Sequence, residues 1–269
     1  MIFRSNILLL FPLIILLISC SGPELLTVHH QDQPIEVDGN LSNWNKTDAL
    51  LKSTSEIDYY ATVHGNNLYL FVDVKGLMKY SAITKSGLIV YLSDSEENRN
   101  QSGFAFPPGS FNLLRQYPNG FEEFTTDMEW SRQPENVELL EELSEDLFSS
   151  IMIVERPMGE NDAEYGFIEK SQLEIDGFEI AGNADQRFIS MEMKIPLGET
   201  SLFNLTKDRI WLGFSIEPPD FNFRDTSSTT PGQRDSYGRR SQRQTNIRYA
   251  MSRNLGESDD WFLIDISNQ

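Results

Sequence analysis

Cysteine is almost absent from this 269-residue chain: Cys20 is the only one, so no disulfide can form within it. Histidine is nearly as scarce, with only His29, His30 and His64. No Cys-x-x-Cys, His-Glu-x-x-His, Gly-x-Ser-x-Gly or phosphate-loop spacing occurs. A Ser/His/Asp triad would have to use His64, on a strand-like run. A pair of carboxylates for glycoside hydrolysis stays open, because their separation is set by the fold and not by the sequence. With so little material for catalysis, the expectation is a protein that is not an enzyme. Basic residues are also few, 22 Lys and Arg against 41 Asp and Glu. That balance repels nucleic acid and anionic lipid surfaces, and it suits a neutral ligand such as a glycan or bound divalent cations. There is no internal repeat and no long Gly/Ser linker.

Only one long apolar run exists, Ile7 to Ile18, preceded by a single charge at Arg4. It is too short to span a bilayer but has the length of a signal h-region. It ends in Leu17-Ile18-Ser19-Cys20, which resembles a bacterial lipobox. The resemblance implies cleavage before Cys20 and a diacylglycerol on its thiol, with anchoring by acyl chains rather than by a spanning helix. Ser21 after the cysteine implies, by resemblance to Gram-negative sorting, the outer membrane. The mature chain, Cys20 to Gln269, then carries 21 basic and 41 acidic residues, a net charge of −20. Residues 20–33 read as a tether with one edge strand, and 34–269 as one large domain.

The domain opens on Pro34 to Lys75. Ile35 to Asp38 reads as a short strand ending in a tight Asp38-Gly39 turn, followed by Trp44. Tyr59 to His64 and Leu68 to Lys75, joined by Gly65-Asn66-Asn67, read as a β-hairpin. In the second run Leu68, Leu70, Val72 and Val74 alternate with Tyr69, Phe71, Asp73 and Lys75, giving one apolar face and one mixed face. Ile35, Asp38-Gly39, Trp44, Asn67 and Leu68-Tyr69 together resemble the opening of carbohydrate-binding module family 9 and its DOMON-like relatives. Glu192-Met193-Lys194-Ile195-Pro196 and Asp260-Trp261-Phe262 resemble late strands of the same family. The resemblance implies an all-β antiparallel sandwich of immunoglobulin or jelly-roll type and a carbohydrate ligand. Its residues read as structural: Asp38 caps a turn and Trp44 plugs one end of the core.

Further along, Gly87 to Leu92 reads as a buried strand running into an acidic loop. There Asp94, Glu96, Glu97 and Asn98 offer hard oxygen ligands of the kind Ca²⁺ takes, although the spacing is not an EF-hand and a solvated turn is the alternative. The turn-rich segment 101–135 holds Phe104, Phe106, Phe111, Tyr117, Phe121, Phe124 and Trp130. Aromatic rings on loops can form platforms for sugar, and half or more of these seven are expected to be core plugs. Asn136 to Ser149 has apolar residues at helical spacing between acids and reads as one inserted amphipathic helix, N-capped by Asn136. Leu173 to Ala181, Phe188 to Ile195 and Ile210 to Ile216 read as strands. In the second of these Ile189, Met191, Met193 and Ile195 face in, while Ser190, Glu192 and Lys194 face out. Glu217 to Asn246 reads as a long polar loop carrying Arg234, Arg239, Arg240 and Arg243, and Asn246 to Met251 as a closing strand.

The candidate sugar contacts are Trp130, Tyr117, Phe121, Glu129 and Arg132. Trp130 has polar neighbours on both sides, so no strand or helix period demands its burial. It either stacks on a sugar face, with Glu129, Arg132 or Gln133 at its edge, or folds back as a plug. The expected partners are a polysaccharide or oligosaccharide and the membrane through the lipid anchor, with no nucleic acid. The competing expectation is a structural subunit of an envelope complex that binds an envelope protein and no sugar.

Overall fold

The computed structural model describes residues 25–109, 111–117, 123–124, 129–156, 164–185, 188–199, 201–216 and 258–267. The chain is mostly β, arranged in two sheets. The first sheet is formed by β1 (Leu25–Thr27), β5 (Ile89–Ser93), β6 (Ser102–Ala105), β7 (Ser150–Glu155), β8 (Glu164–Glu169), β11 (Arg209–Ile216) and β12 (Ser258–Asp265). Their order across the sheet is β1-β12-β11-β5-β6-β7-β8. The second sheet is formed by β2 (Leu50–Ser53), β3 (Ile57–His64), β4 (Asn67–Val74), β9 (Glu179–Asp185) and β10 (Phe188–Pro196), in the order β2-β3-β4-β10-β9. The strand pairings are antiparallel except β1 on β12, and an isolated parallel bridge joins His30 to Val63, so the residues read as a tether supply an edge strand.

Period-two alternation decides which side chains enter the shared core. Ala61, Val63, Leu70, Val72, Met191 and Met193 from one sheet meet Val90, Phe104, Ile151, Leu212, Phe214 and Ile264 from the other. Apart from Ala61, each of these buried side chains contributes roughly 1.5–3 kcal/mol of transfer free energy. Tyr59 bridges the sheets near one end. Its ring packs on Phe214 and Phe262, and its hydroxyl donates to Asp260 at 2.9 Å. Lys52 donates to the other oxygen of Asp260 at 2.7 Å. Burial first, and then the negative charge of Asp260, push the Tyr59 phenol far up, so it stays a neutral donor.

The hairpin and its alternation are as expected, but five readings need correction. Ile35 to Asp38 pairs with no strand. It lies over the outer face of the second sheet, where Ile35 and Trp44 bury with Tyr60, Tyr69 and Phe71 in a second small core. Glu192, read as facing out, does leave the shared core, but this overlying segment covers it completely. Helix is more frequent than one insertion: α1 (Lys46–Ala49), α2 (Leu77–Ser86), α3 (Phe111–Gln116), α4 (Pro134–Glu145) and α5 (Lys170–Ile175) are all present. The inserted helix is α4. It starts at Pro134, where a missing N–H costs nothing. Asn136 therefore lies inside it and donates to the Trp130 carbonyl at 2.9 Å instead of capping. Of the stretch read as the strand Leu173 to Ala181, Leu173 to Ile175 belong to α5, and β9 begins at Glu179.

Candidate functional site

The opening motif folds around one carboxylate. Glu192 Oε2 accepts the backbone N–H groups of Asp38 at 2.9 Å and Gly39 at 2.8 Å, and Oε1 accepts Trp44 Nε1–H at 2.8 Å. Ser190, two residues earlier on β10, donates to the Gly39 carbonyl at 2.9 Å. Asp38 Oδ1 accepts the Asn40 N–H at 2.8 Å, the expected turn cap. Burial pushes the Glu192 carboxyl up, while the donors from Trp44, Gly39 and Asp38 offset part of that rise. All of its donors are internal and no face of it is exposed, so this is a structural clamp and not a ligand site. Beside it lies a polar groove of about 480 Å³ bordered by His29, Gln31, Asp32, Asn43 and Asp48.

The first sheet presents a different outer face. Register places Trp261 beside Gly213, Gly213 beside Tyr91, Tyr91 beside Gly103, Gly103 beside Val154, and Val154 beside Tyr165. The two glycines make room for rings lying flat across the strands. A Cβ on Gly213 would sit 2.6 Å from the Trp261 ring, and one on Gly103 would sit 2.8 Å from the Tyr91 ring and 2.6 Å from the Val90 carbonyl. Tyr91 and Trp261 stack at 5.6 Å with 18° between planes. Arg156 lies over Tyr91 at 5.3 Å. Arg99 lies over Trp261 at 5.0 Å and over Trp211 at 5.3 Å. The result is a continuous ladder, Arg156–Tyr91–Trp261–Arg99–Trp211. Each cation–π step is worth ~0.5–2 kcal/mol, depending on desolvation. Tyr91 and Trp211 form its buried floor, while Trp261, Arg99 and Arg156 reach solvent.

The acidic loop after β5 positions one rung of this ladder. Ser93 Oγ accepts the Ser95 N–H at 3.1 Å, and the Glu96 carbonyl accepts the Arg99 N–H at 3.4 Å. Asp94 is engaged by Lys207, whose Nζ donates to its carbonyl at 2.9 Å and lies 3.5 Å from its carboxylate. At the far end, Arg156 donates to the Asn100 carbonyl at 3.1 Å, and its backbone N–H donates to the Gln101 carbonyl at 2.7 Å. Among the described residues no three His, Cys, Asp or Glu side chains converge as a metal site. Asp94, Glu96, Glu97 and Asn98 lie in this pinned turn, which delivers Arg99.

Trp130 is 4% exposed, so of its two readings the structure has the ring folded back as a plug and not presented as a sugar platform. A 3₁₀ turn over Trp130–Arg132 folds the ring back edge-on against Phe124 at 5.8 Å, and its N–H donates to Glu123 at 2.9 Å. Glu129 and Arg132 pair with each other at 2.7 Å on the exposed side of that turn. Such a surface pair contributes ~0–1 kcal/mol. Tyr117, 53% exposed, ends the α3 segment. Phe104, Phe106 and Phe111 are buried plugs. Cys20, Phe121, the polar loop Glu217 to Asn246 and the strand read over Asn246 to Met251 lie outside the described residues. Sequence reasoning singled out none of Arg99, Arg156, Trp211 and Trp261 as site residues. The available signal was the alternation in β11, where Trp211 and Gly213 fall on the face opposite Ile210, Leu212 and Phe214. In comparisons with known proteins, no family model matches the chain and no curated protein matches its sequence.

Proposed function

We propose that this is a non-catalytic carbohydrate-binding module, a family 9-like sandwich of immunoglobulin or jelly-roll type held at the bacterial envelope by an acylated Cys20. The single observation that carries the reading is the ladder on the outer face of the first sheet. Sugar recognition needs a flat π face for the axial C–H groups of a pyranose and fixed donors at its edge for hydroxyls. Trp261 is the part-exposed ring of the ladder, and Arg99 and Arg156, lying over its rings, supply the donors. The glycines beneath hold the rings flat on rigid strands, so little ordering entropy is lost on binding. The polar groove beside His29 is less suited, because its one bordering indole, Trp44, is buried and committed to Glu192.

The test is a glycan array followed by titration calorimetry of the wild type and Trp261→Ala. Binding to some glycan, weakened at least about ten-fold in the variant while its circular dichroism is unchanged, is the expected result. Silence across the array, or binding indifferent to Trp261, would overturn the reading and favour an envelope-protein partner.

A further inference from the structure

Among the charged side chains of the ladder, Arg99 has an unusual environment. Lys52, Lys75, Lys194 and Lys207 each pair with a carboxylate. Among the described residues, Arg99 pairs with none, and its guanidinium donates no hydrogen bond. This occurs in a chain where 41 acidic residues face 22 basic ones, so carboxylates are abundant. The guanidinium is also half-buried, held between Trp211 and Trp261. A guanidinium carries five N–H donors in its plane. Both indoles lie against the guanidinium, and among the described residues none of its donors is spent, while the backbone of its turn is pinned on either side. A half-buried cation with unspent planar donors is suited to receive an anion in its plane.

We propose that Arg99 is an anion-recognition residue and that the glycan bound at the ladder is acidic, presenting a carboxylate or a sulfate to the Arg99 fork. The proposal rests on the glycan-binding reading above and adds the charge of the ligand to it. The planar fork matches either anion with two parallel N–H···O bonds, a geometry lysine cannot reproduce. The chain as a whole carries a large negative charge, which disfavours long polyanions and leaves short acidic segments as the ligand.

The experiment titrates the full chain with two sets of oligosaccharides. The acidic set is oligogalacturonate, oligoalginate and a sulfated galactan fragment. The neutral set is methyl-esterified oligogalacturonate, xylo-oligosaccharides and manno-oligosaccharides. Binding to an acidic member at least about ten-fold tighter than to the neutral set is expected, reduced by about 10–100-fold in Arg99→Met and only partly restored in Arg99→Lys. Arg99→Met keeps an apolar stem over the indoles, and unchanged near-ultraviolet circular dichroism confirms that the ladder survives. The uronates and the sulfated fragment separate carboxylate from sulfate as the source of the anion. Equal binding of both sets, or acidic binding indifferent to Arg99→Met, overturns this inference and leaves the glycan reading standing. Binding to neither set overturns the glycan reading and this inference with it.

Discussion

Replacing Trp44 tests the clamp that organises the outer face of the second sheet. The indole is 6% exposed, meets Phe71 edge-on at 6.0 Å, and donates to a carboxylate that is fully buried. Emptying a buried aromatic site costs ~3–5 kcal/mol. Losing a hydrogen bond to a charged group costs ~1.5–3 kcal/mol. Trp44→Phe keeps most of the ring and loses only the donor, so it should cost ~1.5–3 kcal/mol. Trp44→Ala loses both and should cost ~3–5 kcal/mol or somewhat more, a large fraction of the ~5–15 kcal/mol that holds a domain folded. Urea titration followed by circular dichroism reads both costs from the midpoint at constant slope. A Trp44→Ala loss below ~1 kcal/mol would show that the ring does not plug the second core. A Trp44→Phe variant as stable as the wild type would show that the Glu192 bond contributes nothing.

Glu192→Gln should be destabilised, because an amide cannot accept from Trp44 and from both backbone N–H groups without one donor–donor contact. Its gap to the wild type depends on pH with a definite sign. An acid whose pKa is raised on folding binds its proton more tightly in the folded state, so its contribution is fullest at acid pH and declines as pH rises through the folded value. Denaturation of both proteins across pH should show the gap shrinking from the ordinary carboxylate range upward, and a widening gap would contradict the raised pKa. Gly213→Ala should displace the Trp261 ring, which lies 2.6 Å from the new Cβ, and alter the near-ultraviolet circular dichroism of the stacked pair while leaving far-ultraviolet signal intact. An unchanged aromatic signal would mean the ladder is not packed as described. Cys20→Ala should release the protein from the membrane fraction or stall its maturation. Unchanged membrane association with an unmodified N-terminus, read by mass spectrometry, would remove the lipid anchor from the proposal.

Where local pattern and tertiary burial agree, the fold is legible in the residues alone. The β3–β4 hairpin follows from its Gly/Asn turn and from the alternation that sends Leu68, Leu70, Val72 and Val74 inward. The Asp38-Gly39 turn follows from side-chain capping over a few residues. Phe188 to Ile195 alternates as β10 does, because a half-buried strand writes its period into the chain. What the sequence does not contain is the identity of whatever covers the other face. Glu192 reads as solvent-facing by period, yet a segment more than 140 residues earlier buries it and turns it into the acceptor of three donors. Trp130 has polar neighbours and still enters the core, because a 3₁₀ turn carries it onto Phe124. Trp211 and Trp261 lie about fifty residues apart in sequence, and Arg99 more than a hundred before Trp211. Only the order β12-β11-β5 of the first sheet, with glycine at the two positions a Cβ would obstruct, gathers them into one ladder. The hairpin, the long strands and the inserted helix were therefore settled by short-range chemistry, while the candidate site was settled by which strands became neighbours, since the rungs of this ladder come from different strands.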